Sequence, residues 1–170
     1  VVVVGGSRGI GKQVCLDFLD AGANVVCVSR TTMKFSHVRL SHLACDIRCT
    51  SQIKKAFLKI DQVDILVNAA AINYCKPSSE IDSDEWDEVL EVNLRSYFLT
   101  SKLSIEKMMS SGGGKIVNIS SIAGRNKSIV SGVHYTSSKS AIIGMTRQLA
   151  SEVSQYGIHV NVVCPSQTMT

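Results

Sequence analysis

Tyr135 and Lys139 are four residues apart, and Ser121 precedes the tyrosine by fourteen. On a helix, positions i and i+4 share a face, so the ammonium lies beside the phenol. A phenol normally titrates near pH 10, and a neighbouring cation favours the phenolate and lowers that value. Each unit of lowering takes about 1.4 kcal/mol of differential interaction. A hydroxyl from Ser121 can then hold a carbonyl or alcohol oxygen against the tuned phenol. That constellation suits proton transfer at an oxygen during carbonyl reduction or alcohol oxidation. The motif alone is weak. Four tyrosines and eleven lysines in 170 residues give about 0.26 Tyr-x-x-x-Lys pairs by chance, so its surroundings must decide.

The second chemical signal is Gly5-x-x-x-Gly9-x-Gly11, between an apolar run and a helical pattern. Glycines there permit a tight turn and close approach of backbone to a pyrophosphate. The helix start adds free N–H groups and the positive end of its dipole. The spacing differs from the common Gly-x-Gly-x-x-Gly fingerprint, and a glycine-rich turn with no ligand is the competing reading. The second apolar run ends at Ser29-Arg30, eighteen residues after Gly11. Sites for NAD usually place an acid near this point, on the ribose 2′-hydroxyl. Here Arg30 stands in its place and Arg8 lies in the glycine loop. Two guanidinium groups suit a 2′-phosphate, so the expected cofactor is NADP(H) in preference to NAD(H).

These residues need a scaffold, and the chain supplies alternating strand and helix patterns. Residues 1–4 are a continuous apolar run, suited to a strand buried on both faces. A helix is expected over about 10–21, with Gly22 as its stop, then a strand over 24–28. Residues 31–42 are too short and irregular for a crossover helix. A brief strand over 43–45 ends at Asp46, a helix follows over 50–60, and a strand over 64–67 reaches Asn68. Ser83 is expected to cap one long helix to about 110, with Trp86, Leu90, Leu94 and Phe98 at i, i+4 spacing. A strand over 115–120, a loop over 121–132, a helix from 135 to about 155 and a strand over 158–163 closed by Pro165 complete the series. Short apolar strands with helical crossovers imply a parallel sheet covered on both faces. Ligands of such sheets bind beyond the carboxyl ends of the strands. The glycine loop, Asp46, Asn68, Ser121 and Pro165 should therefore share one edge.

Composition narrows the function classes. At 170 residues the chain reads as one domain, 1–170, and 45% apolar content is that of a globular protein. The net charge of +4 comes without a basic run, so no nucleic-acid partner is expected. Seven of the fourteen acids lie from Glu80 to Glu91, which reads as a solvated helix start favoured by the dipole. The six cysteines form no Cys-x-x-Cys pair, and no His spacing matches zinc. No metal is expected, and a reduced, cytoplasmic compartment fits. There is no apolar run long enough to span a bilayer. The chain opens on Val1 without a start Met and stops at Thr170 in what reads as a loop. It is therefore expected to be incomplete at its C-terminus, with organelle targeting left open.

With these motifs in order, the chain resembles the short-chain dehydrogenases/reductases, including 3-oxoacyl-carrier-protein reductases and similar carbonyl reductases. The family's Thr-Gly-x-x-x-Gly-x-Gly loop matches from Val4 to Gly11. Its adenine-contacting Asp matches Asp46, and its Asn-Asn-Ala-Gly motif matches Asn68-Ala69-Ala70-Ala71. Its helix asparagine matches Asn93, and its Ser, Tyr and Lys match Ser121, Tyr135 and Lys139. Its Pro-Gly motif with a downstream Thr matches Pro165-Ser166 and Thr170. The resemblance implies a Rossmann-type doubly wound sheet. It implies Tyr135 as general acid in reduction and base in oxidation, and Lys139 tuning it and holding the nicotinamide ribose. Ser121, rather than Ser120, would orient the substrate oxygen, and Asn93 would anchor a relay water. It assigns Gly5, Ser7, Arg8, Gly9, Ile10, Gly11, Ser29, Arg30, Asp46, Ile47, Asn68, Ala69, Ala70, Tyr135, Lys139, Pro165, Thr168 and Thr170 to the cofactor. The implied substrate is a small carbonyl or alcohol, an acyl thioester among the candidates, and the implied assembly a homodimer or homotetramer. Departures are Val4 for Thr, Ala69 and Ala71 for Asn and Gly, Ser166 for Gly, and a Ser121–Tyr135 interval one residue longer. They keep open a second class, a dinucleotide-binding sensor or scaffold without turnover.

Overall fold

The computed structural model describes residues 1–169. Six strands form one sheet in the order β3-β2-β1-β4-β5-β6, with every neighbouring pair parallel. They are β1 (Val2–Val4), β2 (Val25–Ser29), β3 (Leu40–Ala44), β4 (Ile65–Asn68), β5 (Gly114–Ile119) and β6 (Ile158–Val163). The longer helices are α1 (Gly9–Asp20), α2 (Thr50–Phe57), α3 (Ser83–Leu90), α4 (Ser96–Ser110) and α5 (Val133–Val153).

Successive strand residues face opposite sides of a sheet, and β1 shows why its run is wholly apolar. Val2 and Val4 pack with Ile53 and Phe57 of α2, Met108 of α4 and Val153 of α5. Val3 packs on the other side with Cys15 and Leu19 of α1. The strand order reverses between β1 and β4, so the carboxyl ends of these two strands part and open a crevice. Among the described residues no helix is long and apolar enough to cross a membrane.

Three local expectations change. β3 begins at Leu40, because the pairing of Ser41 with Val26 and His42 with Cys27 extends the strand through polar positions. An edge strand needs less apolar content than a central one, which hid it from an apolar count. The cap of α3 is Asp82, whose Oδ1 accepts the Glu85 N–H at 2.8 Å; Ser83 is the first helical residue. The expected single helix is also divided by a π turn over Glu91–Arg95. Such a turn adds one residue and rotates the buried face. Phe98 is consequently 46% exposed, while Val89, Asn93, Tyr97 and Thr100 face the interior.

The interior between β4, β5, α4 and α5 carries a polar chain. Asn68 Nδ2 donates to Asn118 Oδ1 at 2.9 Å, and Asn68 Oδ1 accepts from Thr100 Oγ1 at 2.7 Å. Asn118 Nδ2 donates to Thr146 Oγ1 at 3.0 Å. All four side chains are buried, and buried polar groups are tolerable only when paired. Replacing Asn118 by Ala leaves groups on both Asn68 and Thr146 unpaired. We expect the variant to lose about 3 kcal/mol of unfolding free energy, read as a lower urea midpoint. A loss below about 1 kcal/mol would show that the network contributes little.

Candidate active site

The glycine loop joins β1 to α1 and forms one wall of a cleft of about 450 Å³. Gly5 has φ +85°, and a Cβ there would lie 2.6 Å from the Ala70 backbone. A Cβ on Gly11 would lie 2.3 Å from the Gly5 carbonyl oxygen. Side chains are thus excluded where the loop folds onto the start of α1 and onto the segment after β4. No side chain caps α1 and no acid occupies its first turn, so its start is suited to an anion.

Gly5, Ser7, Arg8, Gly9, Ile10, Gly11, Ser29, Arg30, Asp46, Ile47, Ala69 and Ala70 all line this cleft. Arg30 is exposed, as is Arg8 at the loop, and no carboxylate stands among the lining residues from Val28 to Thr31. The cleft fits a dinucleotide: a cradle closed to Cβ atoms, an uncapped helix start and two guanidinium groups.

Among the described residues, three assigned contacts, Asn68, Pro165 and Thr168, fall elsewhere, and Tyr135 and Lys139 stand on α5 outside the lining. Asn68 is fully buried with its amide committed to Thr100, Ser101 and Asn118, so it supports the cleft from behind. The β4 register places it opposite Val4, where Ala69 N–H donates to the Val4 carbonyl at 2.9 Å. That backbone bond ties β1 to β4 without the hydroxyl that Val4 lacks. Pro165 holds the β5 loop by accepting from Ile122 N–H at 2.9 Å, and Thr168 is exposed with its hydroxyl on Ser166 O. Neither lines the cleft. Thr170 lies outside the described residues.

Asp46 is less free than the family pattern implies. Arg48 grips both its oxygens, Nε at 3.1 Å to each and Nη2 at 2.7 Å to Oδ2. This guanidinium holds the carboxyl below the ordinary carboxylate range. Arg48 also donates to Glu88, which accepts the Tyr74 hydroxyl. Arg48, Tyr74 and Glu88 all line the cleft. Sequence reading missed them, because the contacts join residues up to forty apart.

The Tyr135–Lys139 pair lies on α5 as its spacing requires. Lys139 is 1% exposed and its Nζ donates to Ile119 O at 2.9 Å. The same ammonium sits 5.6 Å from the Tyr135 ring centroid and 5.4 Å from that of Tyr97. Tyr97, also missed, is buried and donates its hydroxyl to the same Ile119 carbonyl at 3.2 Å. It forms a floor for the cation.

The electrostatics correct the opening expectation. Burial raises the Tyr135 phenol above its ordinary value, and the Ser121 hydroxyl offsets this only in part. Burial also pushes Lys139 down to about 8. A cation at 5.6 Å over the ring face does not outweigh the water lost by the phenol. At neutral pH the phenol therefore carries its proton.

The two adjacent serines divide clearly. Ser120 is buried and donates to Lys139 O at 2.6 Å. Ser121 is half-buried, accepts the Ala123 N–H at 3.1 Å and is the hydroxyl that acts on Tyr135. Asn93, fully buried in the π turn, joins this pair to the cleft. Its Oδ1 accepts from Ile72 N, and its Nδ2 donates to Ile72 O and Ser138 Oγ, at 2.9, 2.9 and 3.1 Å. Both amide hydrogens are used, so this side chain clamps two protein segments.

With this geometry in view, the chain matches the family described as short chain dehydrogenase across residues 1–170. It is 31% identical over 174 residues to a protein named dehydrogenase/reductase SDR family member 6 from Aquarana catesbeiana, covering 100% of this chain and 71% of that one. It is 34% identical to an NAD-dependent glycerol dehydrogenase from Listeria innocua, covering 99% and 70%. Its fold overlays a short chain dehydrogenase from Leptospira borgpetersenii, solved with bound NAD+, at a TM-score of 0.95 and 29% identity, covering 99% and 71%.

Proposed function

The chain belongs to the short-chain dehydrogenase family, and from that premise we propose that it interconverts a ketone and a secondary alcohol with NADP(H). The observation that carries this reading is the joining of a dinucleotide-shaped cleft to the half-buried Tyr135 and buried Lys139 through one clamp, Asn93. The nicotinamide, when bound, donates or accepts the hydride. Tyr135 gives its phenolic proton to the carbonyl oxygen in reduction and takes it back in oxidation. Ser121 holds that oxygen beside the phenol. Lys139 stabilises negative charge as it develops on the phenol, in a site with little water to compete.

The preference for NADP(H) rests on Arg8 and Arg30 in the cleft and on the lack of a carboxylate among its lining residues from Val28 to Thr31, at the end of β2 where an acid would hold a ribose hydroxyl. The NAD-dependent relative and the NAD-bound neighbour show that this fold also serves NAD, so the choice belongs to these two side chains. Titrations should give NADPH at least about tenfold tighter binding than NADH, about 1.4 kcal/mol. Arg30→Ala should remove most of that margin. A tenfold or larger preference for NADH in the unaltered chain would overturn it.

The proposed substrate is a small carbonyl compound, with 3-oxoacyl thioesters in the first panel to be assayed. NADPH oxidation measured against ketones and such thioesters tests the activity itself. A homodimer or homotetramer built through α4 and α5 is the proposed assembly. Phe98 and Met109 on α4, 46% and 44% exposed, supply apolar surface for it.

A further inference from the structure

We propose that His134 is a positioning residue that holds Tyr135 in place through its backbone, an inference that rests on Tyr135 being the proton donor. The four first amides of a helix need partners outside it. α5 begins after Gly132, which has no side chain to offer. His134 supplies one instead: its Nδ1 accepts the Tyr135 N–H at 2.8 Å. With Nδ1 used as an acceptor, the ring proton belongs on Nε2. That nitrogen points to Glu85 Oε1 at 3.1 Å, and the other Glu85 oxygen accepts from Lys76 Nζ. The Lys76 ammonium and His134 keep the Glu85 carboxyl below its ordinary range, and so ionised.

The ring has no freedom to leave this position. His134 is 0% exposed, and its ring lies 6.1 Å from that of Tyr74. A Cβ on Gly132 would come within 2.4 Å of His134 Cε1 and 2.6 Å of Tyr74 O. Gly132 has φ −71°, so glycine is required there for room beside the imidazole and not for its backbone freedom. α3, the segment after β4 and the start of α5 thus meet on one buried imidazole, and the residue after it is Tyr135. The ring touches no reacting atom; it sets where the phenol stands, and misplacement by about 1 Å can cost about 10²-fold in rate.

The test uses the full chain labelled with [13Cζ]tyrosine, the Tyr135 signal being identified by its loss in Tyr135→Phe. His134→Ala should shift or broaden that signal and lower kcat about tenfold or more, with the KM for NADPH within about twofold. His134→Asn places an oxygen near the Nδ1 position and should restore both. Gly132→Ala, which crowds the ring without removing it, should disturb the same signal. An unmoved Tyr135 signal in His134→Ala, or an Asn variant no better than Ala, overturns the inference. If the unaltered protein reduces no carbonyl, the functional reading fails, while the NMR comparison still decides the role of His134.

Discussion

Tyr135→Phe should lower kcat for carbonyl reduction by about 10³-fold, within the range for loss of a positioned proton donor, and leave NADPH affinity within about twofold. The two effects separate because of where the residue stands. The dinucleotide cleft is lined by the glycine loop, the ends of β2 and β3 and the segment after β4, and Tyr135 contributes nothing to that lining. The phenol instead lies between the Lys139 ammonium and the Ser121 hydroxyl. Phe keeps the ring over the cation and removes only the proton. The measurement is steady-state NADPH oxidation beside a fluorescence titration of NADPH. Turnover above a tenth of the original would remove Tyr135 from the mechanism. The raised phenol also fixes a direction with pH. The proton donor is intact at neutral pH, and the phenolate needed for alcohol oxidation forms only as pH rises, so oxidation should climb with pH while reduction does not.

Lys139→Met should abolish most turnover and make the protein more stable. Lys139 is 1% exposed with one hydrogen bond, to Ile119 O, and burial moves it from 10.5 to about 8. A shift of that size corresponds to roughly 3 kcal/mol of destabilisation at neutral pH. The sign follows from proton counts. Between pH 8 and 10.5 the unfolded chain holds a proton that the folded chain has released, so stability rises with pH across that window. Below pH 8 the cost of the buried ammonium is fully present. Methionine has similar length and no charge, so the variant should melt higher at pH 7 by about 6–12 °C, at 2–4 °C per kcal/mol for a chain of this size. The gap should shrink as pH approaches 10.5. Loss of the cation beside the phenol should lower kcat by about 10²- to 10³-fold. Differential scanning fluorimetry at several pH values checks the first claim and kinetics the second. An equal or lower melting temperature at pH 7 would mean that the two aromatic rings and the carbonyl compensate the ammonium.

Most of the architecture is written in local patterns. The valine run of β1, the glycines at its end and the apolar positions of α1 each specify a piece of backbone without reference to distant residues. The order of such pieces leaves few ways to wind a parallel sheet, and the winding places their carboxyl ends along one edge. Twelve assigned cofactor residues line the cleft for this reason. Tyr135 and Lys139 share a face because the period of a helix puts them there.

What the tertiary structure decided concerns burial and distant partners. Asn68 reads as a cofactor contact beside the glycine loop, yet its amide points into an interior where Thr100, Ser101 and Asn118 surround it. The clamp that the Asn93 side chain forms from the π turn on Ile72 and Ser138 is likewise invisible to spacing. Lys139 and Tyr135 stand as their spacing requires, but the direction in which each titrates was set by the water removed when α5 packed against α4 and the β5 loop. Arg48, Glu88, Tyr74, His134 and Glu85 carry no motif at all, and the shortest chain separation among their mutual contacts is fourteen residues. Periodicity and spacing determine which way a backbone runs and which residues share a face. The free energy of a buried charge or amide depends on everything that excludes water from it, and that is settled only when the layers close.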